Sequence, residues 1–159
     1  MGRERGVKLR LLWVGKTQEA WVKAGIEEYA GRVKRYSPFE ITEVKEEKGV
    51  LPELMKQRES ERIEKLLPKN GRLILLDELG EQFTSPAFAG LIGTYRDSGT
   101  PELTFAIGGA YGFSDALRSS ADRIIALSKM TFTHQMVRPF FLEQLYRGFT
   151  ILNNEGYHH

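Results

Sequence analysis

Cysteine is absent from the 159 residues, which excludes disulfides, thiolate metal sites and cysteine nucleophiles. No apolar run approaches the roughly 18 residues a membrane span needs. The charged start Met1-Gly2-Arg3-Glu4-Arg5 is not followed by a signal-peptide core. The reading is a cytoplasmic protein with no membrane partner. Charge of one sign is also scarce. A net charge of +2 is too small to argue for a nucleic-acid partner by itself. Basic residues gather at Arg3, Arg5, Lys8 and Arg10, and at Arg32, Lys34 and Arg35, but the acidic stretch Glu43 to Glu47 offsets them. Histidine is limited to His134, His158 and His159, in two regions with no carboxylate at ligand spacing, so no metal is expected. There is no internal repeat, low-complexity tract or linker. The length suits one domain with a full core. We assign it residues 7–159, preceded by a basic arm, 1–6, expected to be disordered.

What is present alternates strand-like and helix-like segments. Val7 to Val14 is β-rich and stops at Gly15. Thr17 is placed to cap a helix to about Arg35, with Trp21, Gly25, Tyr29 and Val33 along its buried stripe. A strand over Phe39 to Val44 follows, then a charged loop, Lys45 to Leu51, expected to be the most mobile segment. Pro52 suits the first turn of a helix ending near Leu67, where Glu61 and Lys65 are spaced to pair. Arg72 to Leu76 is a short apolar strand ended by Asp77 and Gly80. Ser85-Pro86 opens a helix through Arg96. Leu103 to Ile107 and Arg123 to Leu127 are further strands, with a brief helix capped by Ser114 between them. Strands that are apolar on both faces and alternate with helices predict an α/β fold, a mostly parallel sheet with helices on both faces.

Ligands of such sheets gather at the carboxyl ends of the strands. Three loops of unusual composition stand there: Leu76 to Gly80, Ile107 to Phe113 and Leu127 to His134. The glycines at 108, 109 and 112 permit close backbone approach to a ligand. Their spacing matches neither the dinucleotide fingerprint nor a phosphate loop, which removes a nicotinamide-dependent oxidoreductase. Asp77 and Asp115 read as structural, and His134 as a helix-start residue. The last segment carries Phe140, Phe141, Leu142, Leu145, Phe149, Ile151 and Leu152, apolar on more than one face. Such a helix is buried on most sides, partly against a second subunit, so a homodimer is expected. Arg138, Glu143 and Arg147 interrupt it, and Arg147, beside Tyr146, is the one favoured for function. The tail Gly156-Tyr157-His158-His159 is expected to belong to the working machinery.

Four segments are distinctive together: FAIGGAYG (Phe105 to Gly112), ALSKMTFTHQMVR (Ala126 to Arg138), EQLYR (Glu143 to Arg147) and GYH (Gly156 to His158). With them the chain, from Val7 to His158, resembles the RlmH family of the SPOUT superfamily. These are S-adenosylmethionine-dependent enzymes that methylate N3 of a pseudouridine in 23S ribosomal RNA. The resemblance implies a C-terminal trefoil knot, dimerisation through the last helix and a ribosome as partner. It implies a cofactor pocket at Leu76, Gly108, Leu127, Ser128, Lys129, Met130, Thr131 and Phe132, and a methyl-transfer site at Arg147, Tyr157 and His158. Lys129 and Arg138 are expected to grip RNA beside the pocket, with Arg3, Arg5 and Lys8 at its margin. Pro139 requires a helix that starts late or bends. The rival readings are a SPOUT enzyme acting on another RNA, such as a tRNA, and a non-catalytic ribosome- or RNA-binding module.

Overall fold

The computed structural model describes residues 7–159. The basic arm expected at 1–6, with Arg3 and Arg5, lies outside the described residues. Five strands, β1 (Lys8–Val14), β2 (Phe39–Val44), β3 (Arg72–Gln82), β4 (Glu102–Ile107) and β5 (Arg123–Ala126), form one sheet in the order β2-β1-β4-β3-β5. Every pairing is parallel, with Leu9 opposite Leu103 and Leu11 opposite Phe105 in the centre. The period of two sends alternate β1 side chains to opposite faces. Leu9, Leu11 and Trp13 join the core under α1 (Ala20–Val33), α3 (Ser85–Asp97) and α5 (Val137–Leu152). Leu12 and Val14 join Ile63, Phe113 and Leu117 under α2 (Pro52–Lys65) and α4 (Asp115–Ser120). Both faces are therefore covered, which is why β1 and β4 read as almost unbroken apolar runs. Each fully buried Leu or Phe stabilises this arrangement by about 1.5–3 kcal/mol.

Helix α5 is the keystone of the larger layer. Its Phe141 and Leu142 are fully buried, and the Phe141 ring lies 4.9 Å from that of Phe105 on β4. Pro139 occupies the third residue of α5, in the first turn, where a missing N–H leaves no helical bond unmade. The helix starts late rather than bending. Its first turn reaches the carboxyl end of β1 and its last packs near Tyr36, just before β2, so α5 runs back across the sheet.

Several local expectations are corrected. The buried face of α1 is Val22, Ile26, Ala30 and Val33; of the expected stripe Val33 is buried and Tyr29 packs at the core's edge, while Trp21 is 59% exposed. Thr17 does not cap α1; it is buried, and its hydroxyl accepts from Arg138 Nη1 at 2.8 Å. Strand β3 continues to Gln82: its register breaks after Leu76 and pairing with β5 resumes at Glu81. Gly80 permits that return, since a Cβ there would stand 2.7 Å from the Ile124 backbone. Glu61 takes a hydrogen bond from Gln57 rather than an ion pair with Lys65. In the 45–51 loop Glu47 is paired to Arg58 and Arg62, with its N–H donating to Glu59 at 3.0 Å, while Leu51 is exposed.

Candidate active site

The stretch of β3 from Leu76 to Leu79, where its register breaks, and the carboxyl ends of β4 and β5 enclose a cavity of about 570 Å³, a volume suited to a small-molecule cofactor. All three loops singled out from the sequence line it. Leu76, Gly108, Leu127, Ser128, Met130 and Phe132 face the hollow; Lys129 and Thr131 belong to the same run but do not line it. The glycine wall is tight. A Cβ at Gly108 would come 3.1 Å from Gly112 Cα, and one at Gly109 would come 2.9 Å from Glu59 Oε1. Gly112 holds φ at +77°, where a side chain is strained. The turn is fastened from α2 as well, because Ser60 Oγ accepts from the Ser114 N–H at 2.9 Å. Asp77, read from the sequence as structural, lines the cavity and is held in place on both oxygens. One oxygen accepts from the Leu79 N–H at 2.9 Å and the other pairs with Arg118 of α4.

The third wall ends at His134, whose imidazole is held below its ordinary range by burial first and by the nearby Arg138 charge second. Arg138 itself corrects the sequence reading. It is fully buried, donating to the Val14 carbonyl, the Thr17 hydroxyl and the His134 carbonyl, so it offers nothing to a phosphate. Lys8 is corrected too. It opens β1, at the opposite end of the strand from the cavity, about 20 Å away by strand rise, and is paired with Glu40 and Glu102. Lys129 remains exposed beside the cavity-lining residues.

Arg147, Tyr157 and His158 do come together, and the centre of their cluster is a residue the sequence reading passed over as a mere polar interruption. Glu143 Oε1 accepts from Arg147 Nε at 3.0 Å, from Arg147 Nη2 at 2.6 Å and from the Tyr157 hydroxyl at 3.0 Å. Arg147 Nη1 stands 3.1 Å from His158 Nδ1, and its guanidinium lies 4.8 Å from the Tyr157 ring centroid. The i, i+4 spacing of Glu143 and Arg147 was the available signal. Burial, then the Glu143 carboxylate, raise the Tyr157 hydroxyl above its ordinary range, so it stays a donor at neutral pH. The same carboxylate raises the Arg147 guanidinium and keeps it charged. The tail is anchored a second time where the Tyr36 hydroxyl donates to Glu155 at 2.7 Å.

Within one chain this cluster and the cavity are separate. None of Arg147, Tyr157 and His158 lines the cavity. A second hollow of about 350 Å³, from Leu127 and Phe132 past Phe140 to Glu143, lies between them. Arg147 sits seven residues beyond Phe140, about 10 Å along α5. Among the described residues no group of three or more His, Asp or Glu side chains could hold a metal, and no helix is long and apolar enough to cross a membrane.

A parallel α/β sheet with a glycine-walled cradle at its strand ends, closed by loops leading into its own last helix, defines a small-ligand-binding α/β domain of the strand-end type. A family profile described as "Predicted SPOUT methyltransferase" matches residues 7–158. The chain belongs to the SPOUT methyltransferase family. It is 67% identical over 153 residues to the ribosomal RNA large subunit methyltransferase H of Geotalea uraniireducens (strain Rf4), spanning 96% of this chain and 100% of that one. Against the protein of the same name from Geobacter sulfurreducens the identity is 65%, with the same coverage. Among solved structures, a probable methyltransferase from Bordetella pertussis Tohama I matches with a TM-score of 0.56 at 12% identity, over 89% of this chain and 94% of that one. A probable methylase family protein from Haemophilus influenzae Rd KW20 gives 0.55 at 10% identity, over 99% and 72%. At such identities those two structures speak for the fold alone.

Proposed function

We propose that the protein is an S-adenosylmethionine-dependent methyltransferase acting on N3 of a pseudouridine in 23S ribosomal RNA, on assembled ribosomes in the cytoplasm. The observation that carries the reading is the cradle: a cavity of suitable volume walled by a tight glycine turn, in a chain 67% identical to a ribosomal RNA methyltransferase. The residues fit the cofactor. Leu76, Leu127, Met130 and Phe132 offer apolar surface to an adenine, and the Gly108–Gly112 backbone offers close polar contact. Lys129 and Thr131 then belong to the loop that shapes the pocket. When bound, the cofactor supplies an activated methyl group.

The chain's own residues position the RNA and manage charge. Arg147 is held by Glu143 through two hydrogen bonds and by His158 through Nη1, and the N–H groups these leave over are the ones it can give to a developing anion or a phosphate. Tyr157 presents a protonated hydroxyl and a ring for stacking. Arginine only donates, so Nδ1 of His158 accepts from Arg147 and the neutral ring carries its proton on Nε2. In this arrangement His158 presents a donor, and it takes the N3 proton only after leaving Arg147.

The distance between cluster and cradle supports the expected homodimer, in which α5 of one copy brings its tail toward the cradle of the other. Phe132 and Phe140, 42% and 44% exposed and 5.5 Å apart, supply apolar surface for that pairing. The trefoil knot implied by the resemblance belongs to the same reading. The test is transfer of a tritiated methyl group to ribosomes lacking the modification, followed by mapping of the labelled nucleotide. Label on N3 of a 23S pseudouridine is the expected result; label only on a tRNA, or none on any RNA, overturns it.

A further inference from the structure

Arg138 is the largest fully buried side chain among the described residues, and an arginine at 0% exposure is costly to keep. No carboxylate lies within ion-pair distance of it among the described residues. Its partners are instead parts of the backbone scaffold. Nε donates to the His134 carbonyl at 3.1 Å, Nη1 to the Thr17 hydroxyl at 2.8 Å and Nη2 to the Val14 carbonyl at 2.9 Å. The guanidinium stacks 4.8 Å from the Trp13 ring. A buried arginine that reaches three separate pieces of backbone or loop holds those pieces in register, which an apolar side chain of equal volume would not do.

The pieces are informative. His134 closes the loop that forms the third wall of the cradle. Val14 ends β1, and its Cγ1 would meet a Cβ at Gly109 at 3.3 Å, so it also abuts the glycine wall. A second clasp runs alongside. Gln135 accepts from the Gln18 N–H at 3.0 Å and donates to the Lys16 carbonyl at 2.9 Å. Two separate walls of the cradle thereby meet at the end of β1: the Leu127–His134 loop is clasped to it, and the Gly108–Gly112 turn abuts it at Val14.

We propose that Arg138, seconded by Gln135, is a positioning residue for the cofactor cradle, locking the 127–136 loop to the end of β1 so that its third wall is formed before the cofactor arrives. Arg138 acts through the loop and touches neither cofactor nor RNA. The inference rests on the reading of the cavity as the S-adenosylmethionine site.

Wild type, Arg138→Lys, Arg138→Met and Gln135→Ala are compared by calorimetric titration with S-adenosylmethionine and by steady-state methyl transfer to ribosomes. Loss of the clasp weakens cofactor binding most in Arg138→Met, by about 100-fold, with partial rescue in Arg138→Lys and a loss of about fivefold in Gln135→Ala. The KM for ribosomes at saturating cofactor stays within about twofold of wild type. Gln135 is half-buried and outside the core, so its variant decides the matter where Arg138→Met does not fold. Folded variants that bind the cofactor as wild type does overturn the proposal while leaving the cavity's assignment intact. A folded wild type that takes up no S-adenosylmethionine overturns the assignment itself, and the clasp's role with it.

Discussion

The cradle and the C-terminal cluster are built on opposite plans. The cradle is walled by the glycine turn after β4 and by apolar side chains such as Leu76, Leu127 and Phe132, with Asp77, Arg118 and His134 at its edge, and the turn keeps its shape because Gly108, Gly109 and Gly112 carry no side chains. The cluster is made of side chains around a single carboxylate, and its shape comes from hydrogen bonds on Glu143. A backbone wall is fixed by the fold as a whole and fails when volume is added. A side-chain network is fixed locally and fails when one member is removed. Adding atoms to the first and removing them from the second therefore separates binding from turnover.

The largest effect is expected at the glycine wall. Gly108→Val places a branched side chain against the Gly112 backbone and abolishes detectable cofactor binding, a loss of about 100-fold or more. Calorimetry checks it, and near-wild-type affinity would break the comparison. Next comes Arg147→Ala. Turnover falls about 100-fold with cofactor affinity unchanged, read as kcat against the dissociation constant; an equal fall in both would merge the two regions. Tyr157→Phe removes one of the three hydrogen bonds on Glu143 Oε1 and lowers turnover about fivefold, consistent with about 1 kcal/mol for a hydrogen bond.

The smallest effect is a pH dependence at His134. Burial holds its folded value below the ordinary 6.5. The folded state then binds fewer protons than the unfolded chain as pH falls through that range, so stability is complete above about 6.5 and declines below it. The melting temperature of wild type drops more between pH 7.5 and 5.5 than that of His134→Gln. Equal slopes would remove His134 as the source.

The layered sheet was legible because the apolar runs of β1 and β4 have one physical explanation, burial on both faces, and the strand-end loops then followed from chain direction. The cradle was legible for the same reason: it is a property of strand ends. What escaped depends on contacts distant in sequence. The later half of β3 is polar, and only its pairing with β5 across Gly80 makes it a strand. Trp21 looked like a core residue because it is large, but the aliphatic Val22, Ile26, Ala30 and Val33 already fill that face. Arg138 looked like a surface cation, since nothing within a few residues announces that Val14 and Thr17 await its donors. Arg147, Tyr157 and His158 were placed by resemblance. Glu143 between them was readable from its spacing to Arg147 and was not given its due.

The two outer strands of the sheet carry one more implication. β5 is only four residues long and opens with Arg123 paired to Glu81, while β2 sets Glu40 and Glu43 on its exposed positions. Short or charged margins resist extension by a neighbouring strand. Copies of this protein should not polymerise by zipping sheet to sheet, even when crowded on a ribosome. The helical flanks, where Phe132 and Phe140 are exposed, are the surfaces left for the pairing proposed above.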